Sequence, residues 1–145
     1  MKKFASLMLA SVVLAGCAQP SDSDKGAVTA QDLQHHRFVL ESVDGKPLDV
    51  KNSKRAPELS FGENMQIYGQ MCNRFMGQAT LEHNTLKAKG VGMTMMLCSD
   101  PLLNDLDHRI NDMLTSGAKV SLANQQLVLK SGQHTLTYKL ADLVN

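Results

Sequence analysis

Ser99-Asp100-Pro101-Leu102-Leu103-Asn104-Asp105-Leu106-Asp107-His108-Arg109-Ile110-Asn111-Asp112-Met113-Leu114-Thr115-Ser116-Gly117 reads as an amphipathic helix. Ser99-Asp100 offers an N-cap, and Pro101 takes the first helical position, where its missing N–H costs nothing. Leu102, Leu103, Leu106, Ile110, Met113 and Leu114 recur at helical spacing. Asn104, Asp105, Asp107, His108 and Arg109 fall mostly on the other side and are expected to face water. Gly117 is the expected C-terminal stop. One such helix can cover one apolar face of a sheet, so the fold depends on what flanks it.

Both flanks read as strands. Downstream, Lys119–Leu122, Gln126–Lys130 and His134–Leu140 are separated by Ala123-Asn124-Gln125 and Ser131-Gly132-Gln133. Leu127/Leu129 and Leu136/Tyr138/Leu140 alternate with polar residues, as in a half-buried antiparallel sheet. Upstream, Arg37–Val43 alternates with Phe38, Leu40 and Ser42 on one side, and Asp44-Gly45-Lys46-Pro47 turns the chain. Residues 48–56 are polar and read as a loop, followed by a short strand at Leu59–Phe61, a turn at Gly62-Glu63-Asn64 and a return strand at Met65–Gly69. Gly77–Leu81 and Thr85–Lys89 read as a hairpin around His83-Asn84, with a further strand at Val91–Met96. The expectation is a β-rich α+β fold: an antiparallel curved sheet or half-open barrel of about seven to eight strands packed on one long helix.

The N-terminus sets the expected compartment. Met1-Lys2-Lys3 precedes an apolar run from Phe4 to Leu14, which is short of the roughly 20 residues a membrane-spanning helix needs. Leu14-Ala15-Gly16-Cys17 resembles the lipobox of bacterial lipoproteins. The resemblance implies a signal peptide over 1–16 and acylation of Cys17, through which the chain would bind a membrane. Ala18, rather than Asp, after the cysteine favours the outer membrane by analogy with the bacterial lipoprotein sorting rule. The following stretch to residue 32 is small and polar and reads as a flexible tether, with the domain proper over 33–145.

Removal of residues 1–16 takes two lysines, leaving 13 basic against 14 acidic residues, and no basic stripe points to nucleic acid. The chain has no Trp and six aromatics, so its core must rely on Leu, Val and Met. With Cys17 assigned to lipid, Cys72 and Cys98 are left; they can pair in an oxidising compartment or stand as two buried free thiols.

These two cysteines lie in distinctive segments. One is Gly69-Gln70-Met71-Cys72-Asn73-Arg74-Phe75-Met76-Gly77; the other is Val91-Gly92-Met93-Thr94-Met95-Met96-Leu97-Cys98. A glycine-flanked Cys-Asn-Arg-aromatic-x-Gly, then Thr-x-x-x-Cys, then a helix, resembles the META domain family. His35–Val43 and Thr135–Leu143 extend the resemblance over essentially the whole mature domain. It implies a β-rich half-barrel with one helix, and an envelope protein linked to stress without an established enzymatic activity. The resemblance also implies a basic residue directly after Thr94, where this chain has Met95, so no role for a cation there carries over.

The motif residues also have physical readings of their own. Gly69 and Gly77 are expected to allow tight turns around the cysteine loop. Asn73 can bond exposed backbone, and Phe75 is expected to anchor the core. Arg74 can tie loop carbonyls or bind an anion, of which tying is the plainer reading.

Catalytic motifs are missing: there is no HExxH, GxSxG or phosphate loop, and nothing in the sequence brings Cys72 to His35, His36, His83, His108 or His134. Met93, Met95, Met96 and Cys98 are soft ligands suited to Cu(I), but on a strand they would face alternate ways; they are expected to fill the core, with no cofactor or metal. The reading is a non-enzymatic outer-membrane lipoprotein facing the periplasm, a binding or accessory module for an envelope protein under stress. The alternative is a carrier of a lipid or small apolar ligand. A carrier needs an apolar cavity of some 300 Å3 or more; a partner-binding module needs an exposed apolar patch.

Overall fold

The computed structural model describes residues 27–49 and 56–143. Its elements run α1 (Ala30–Leu33), β1 (His36–Val43), β2 (Lys46–Pro47), β3 (Glu58–Phe61), a 3-10 turn (Glu63–Met65), β4 (Gln66–Gln70), β5 (Arg74–Glu82), β6 (Thr85–Met93), α2 (Pro101–Ser116), β7 (Ala118–Ala123), β8 (Gln126–Ser131) and β9 (His134–Leu143). The strands form one antiparallel sheet in the order β2-β1-β3-β4-β5-β6-β7-β8-β9, and β9 pairs back onto β1. Eight strands therefore close a barrel, and the two-residue β2 continues the β3 edge of β1 at Ser42 and Val43.

The β-rich fold with one long helix is as expected, and the choice between a curved sheet and a half-open barrel goes to closure. Arg37 shows how the seam holds. Its Nε donates to Asp142 on β9 at 2.7 Å and its Nη1 to Glu58 on β3 at 2.6 Å, so one guanidinium ties three strands. Bulges between Arg37 and Phe38 and between Leu40 and Ser42 let β1 follow the curve. The second bulge also turns Val43 inward instead of Ser42, which simple alternation had put on the core face.

Two-residue turns fix the register of the hairpins. Asp44-Gly45, His83-Asn84 and Asn124-Gln125 all have positive φ at both positions, the primed turn that matches strand twist. The strand expected at Val91–Met96 is not a separate element. Residues 91–93 end β6, and a register shift opposite Gly77, with Gly90 at φ 61°, breaks the regular pairing within β6.

The folded unit begins earlier than the expected 33. Thr29 and Asp32 form a capping box over the single turn α1, and the Val28 N–H donates to Asn84 Oδ1 at 2.9 Å. Val28 and Leu33 are both in the core, so the C-terminal part of the expected 17–32 tether belongs to the domain. Residues 1–26, including the expected signal peptide and Cys17, lie outside the described residues, as do 50–55 in the expected loop.

Helix α2 sits where the barrel ladder is shortest. β6 and β7 pair only at Thr85–Lys119 and Leu86–Ala118, and α2, the connection between them, packs against β6. The Asp100 side chain caps its start, accepting from the Leu102 N–H at 2.9 Å, and Gly117 at φ 101° ends it. Leu103, Leu106, Ile110, Met113 and Leu114 are buried as expected, joining Phe38, Phe61 and Tyr138 in one core, whereas Leu102 is exposed. Burial of these side chains against the sheet is the main force holding the helix.

Candidate functional site

The two cysteine segments meet at the start of α2. Residues 71–73 form the tight connection between β4 and β5, and residues 94–98 run on from β6 without a turn or bend. Cys72 and Cys98 are joined by a disulfide with a Cα separation of 5.9 Å. Pairing is therefore the outcome among the two left open by the sequence, and Cys72 is not available as a nucleophile for any histidine.

The network around the bridge rests on two buried polar side chains, Asn73 and Asp107. The Asp107 carboxylate accepts the Cys72 N–H at 3.0 Å, the Asn73 N–H at 2.9 Å and Asn73 Nδ2 at 2.8 Å. Helical spacing had put Asp107 on the solvent side. It is 6 % exposed instead, because three N–H donors replace its water. Asn73 passes the connection on: its Oδ1 accepts from Thr94 Oγ1 at 2.7 Å and from the Met96 N–H at 2.6 Å, while Nδ2 donates to the Met96 carbonyl at 2.8 Å. Asn104 grips the next tied residue, accepting the Cys98 N–H at 3.0 Å and donating to its carbonyl at 2.8 Å.

This anchoring overturns the expectation of core filling for Met95 and Met96, whereas Met93 and Cys98 are partly buried and pack against the core. Met95, Met96 and Leu97 are 97 %, 66 % and 88 % exposed. The side-chain amides of Asn73 and Asn104 fix the backbone from beneath, so these three apolar side chains project into solvent. Leu97, like Asp107, went unremarked in the sequence as a site residue.

The remaining motif residues take different roles. Phe75 is buried as expected. Gly69 and Gly77 lie within strands and make no turn: a Cβ on Gly69 would meet the Phe75 ring at 2.2 Å, and one on Gly77 the Lys89 carbonyl at 3.3 Å. Arg74 is exposed, and its backbone pairs with Thr94, whose N–H donates to the Arg74 carbonyl at 3.0 Å. Its guanidinium ties no loop carbonyl among the described residues, contrary to the plainer reading. It lines instead an open groove of about 600 Å3 with Glu58, Tyr68, Met76, Gly92 and Thr94. Tyr68, Met76 and Gly92 face one another in register on the outer side of the sheet, and the missing Gly92 side chain deepens the floor.

A second polar cluster lies further along the helix. Asp44 accepts from the Thr135 N–H at 2.7 Å and from Arg109 Nη1 at 2.9 Å, with His134 Nδ1 at 3.6 Å, and Arg109 also pairs with Asp105 at 3.0 Å. The Thr135 N–H, and after it the Arg109 charge, hold the Asp44 carboxyl below the usual carboxylate range. Among the described residues, no three His, Cys, Asp or Glu side chains converge as a metal would require. The buried Tyr138 hydroxyl has no hydrogen-bond partner among the described residues, and burial raises its pKa.

The chain resembles known proteins over most of its length. It is 54 % identical to Heat shock protein HslJ of Escherichia coli (strain K12) over 145 residues, all of both chains. A structure solved by NMR, 56 % identical, covers 82 % of this chain and 100 % of that chain with a TM-score of 0.74. Another NMR structure, from Burkholderia xenovorans, is 24 % identical with a TM-score of 0.61 over 85 % of this chain and 99 % of that chain, and shows the same fold. The META domain model matches residues 31–142, and the chain belongs to the META domain family.

Proposed function

We propose that this protein is a lipid-anchored, non-enzymatic lipoprotein of the outer membrane, facing the periplasm, which binds partner proteins as an accessory module in envelope or heat stress. The observation that carries the binding role is the exposed apolar shelf Met95-Met96-Leu97, fixed from below by Asn73, Asn104 and the Cys72–Cys98 bridge. Large apolar side chains cost solubility when exposed together, so a rigid array of them fits a docking surface. Methionine suits such a surface because its unbranched thioether adapts to different partners. The disulfide accords with an oxidising compartment, and the heat-shock name of a relative 54 % identical over the full chain supports the stress context. The carrier alternative draws no support from the helix, since Leu103, Leu106 and Ile110 are taken up in the core.

Anchoring and docking are tested separately. Cys17→Ser is expected to abolish incorporation of labelled palmitate; label entering the variant would refute the anchor. Leu97→Asp is expected to keep the protein folded and acylated, yet lose its crosslinked partners in heat-stressed cells. Retention of the same partners would refute the shelf as the docking surface.

A further inference from the structure

The shelf has a backbone pattern as well as an apolar surface. Alternate residues of the segment are tied inward: the Thr94 N–H to the Arg74 carbonyl, both Met96 backbone groups to Asn73, and both Cys98 backbone groups to Asn104. Met95 and Leu97, between them, make no hydrogen bond among the described residues. Hydrogen bonds at every second residue, with the intervening groups free, are the mark of an edge strand whose outer side is unpaired. Here two asparagine side chains stand in for the inner neighbouring strand.

We infer that Thr94–Cys98 is a strand-addition site, which takes an extended, apolar polypeptide segment as its outer neighbour. The inference rests on the docking role proposed above and names the partner class. The occupant's N–H and C=O groups pair with those of Met95 and Leu97, spaced about 6.8 Å apart along a strand, while its apolar side chains pack on theirs. A lipid is the poorer occupant, because hydrocarbon would leave these backbone groups unpaired. A second copy is poorer too: shelf against shelf offers two free residues a side, well short of the roughly 1,000 Å2 a stable interface needs.

The test uses the full chain carrying Cys17→Ser, with its disulfide formed, and a labelled, blocked nine-residue peptide of alternating valine and threonine. The peptide is expected to bind in fluorescence anisotropy and to slow amide exchange at Met95 and Leu97, leaving that at Met96 unchanged. Met95→Pro removes a free N–H while suiting an extended backbone, and is expected to weaken binding at least about tenfold. Met95→Ala, which keeps the N–H, is expected to cost clearly less. A peptide N-methylated along one edge is expected not to bind, which tests pairing even if Met95→Pro fails to fold. Equal binding of methylated and unmethylated peptides, both lost in Leu97→Asp, would overturn strand addition and leave the docking role standing. No peptide binding together with Leu97→Asp-insensitive partners would overturn both. Competition by phosphatidylethanolamine–phosphatidylglycerol vesicles, or self-association without peptide, would overturn the inference in favour of a lipid surface or a second copy.

Discussion

Asp107 and Arg109 stand two residues apart on the same helix, and both tie α2 to loops of the barrel. Asp107 is buried and takes three N–H donors, two of them backbone, from Cys72 and Asn73. Arg109 meets the carboxylates of Asp44 and Asp105 near the surface, where the acidic partners are 37 % and 59 % exposed. The contrast shows that geometry alone does not rank two clamps. Water can replace the partners of Arg109 when they are lost, but it cannot readily reach the donors that Asp107 satisfies. One clamp therefore specifies the shape of the site, while the other trims the surface.

The largest expected effect follows from that difference. Asp107→Ala should destabilise the protein by at least about 2 kcal/mol in urea denaturation, because it leaves three N–H donors unpaired and each buried unsatisfied donor costs about 1–3 kcal/mol. Asp107→Asn, which retains an acceptor, should cost less. A loss below about 1 kcal/mol for the alanine variant would erase the contrast with Arg109. The bridge ranks next. The cysteines are 26 residues apart, and replacing both with serine should cost roughly 3.5 kcal/mol on the loop-entropy model. It should also free the shelf, read as faster amide exchange at positions 96 and 98. Unchanged exchange would mean that Asn73 and Asn104 hold the segment without the disulfide.

The same contrast explains what the sequence disclosed. The barrel was largely legible because local signals agreed with one another: turn residues such as His83-Asn84, two-residue alternation around Leu127 and Leu129, and helical spacing from Leu103 to Leu114. Closure was not legible, since it depends on β1 meeting β9 across some hundred residues and on bulges that leave no mark in alternation. The motif cysteines and Asn73 could be placed in one region by resemblance. Asp107 could not, because its solvent-side position in the helical pattern is reversed only by donors from residues about 35 positions away. Met95 and Met96 misled for a related reason. Their apolar character suggested core, and only the asparagine contacts from outside the segment turn them outward. The α1 turn was hidden in a stretch whose overall composition resembles a linker, although Thr29-x-x-Asp32 was a readable capping signal.

Arg109→Gln probes the surface clamp. Both its ion pairs involve exposed carboxylates, so the expected loss is at most about 1 kcal/mol, and it should shrink further in high salt. A loss above about 3 kcal/mol, insensitive to salt, would place Arg109 in the same class as Asp107.

The smallest effect is a pH dependence at the same clamp. The Asp44 carboxyl is held below its ordinary value by the Thr135 N–H first, and also by Arg109 and His134. A carboxylate with a lowered folded-state pKa binds its proton more weakly when folded than when unfolded. Its contribution is therefore complete above the unfolded value of about 3.9, and it is lost as pH falls below that value through the lower folded one. Stability of the parent protein minus that of Asp44→Asn, followed by urea denaturation from pH 7 to pH 2, should be flat down to about pH 4 and then fall. Because Asp44 is partly exposed, the fall should be shallow and should weaken as salt is added. A difference that stays constant to pH 2 would mean that the neutral acid serves the Thr135 and Arg109 donors equally well. The contrast between the two clamps would then rest on burial alone, with no part for charge at the outer one.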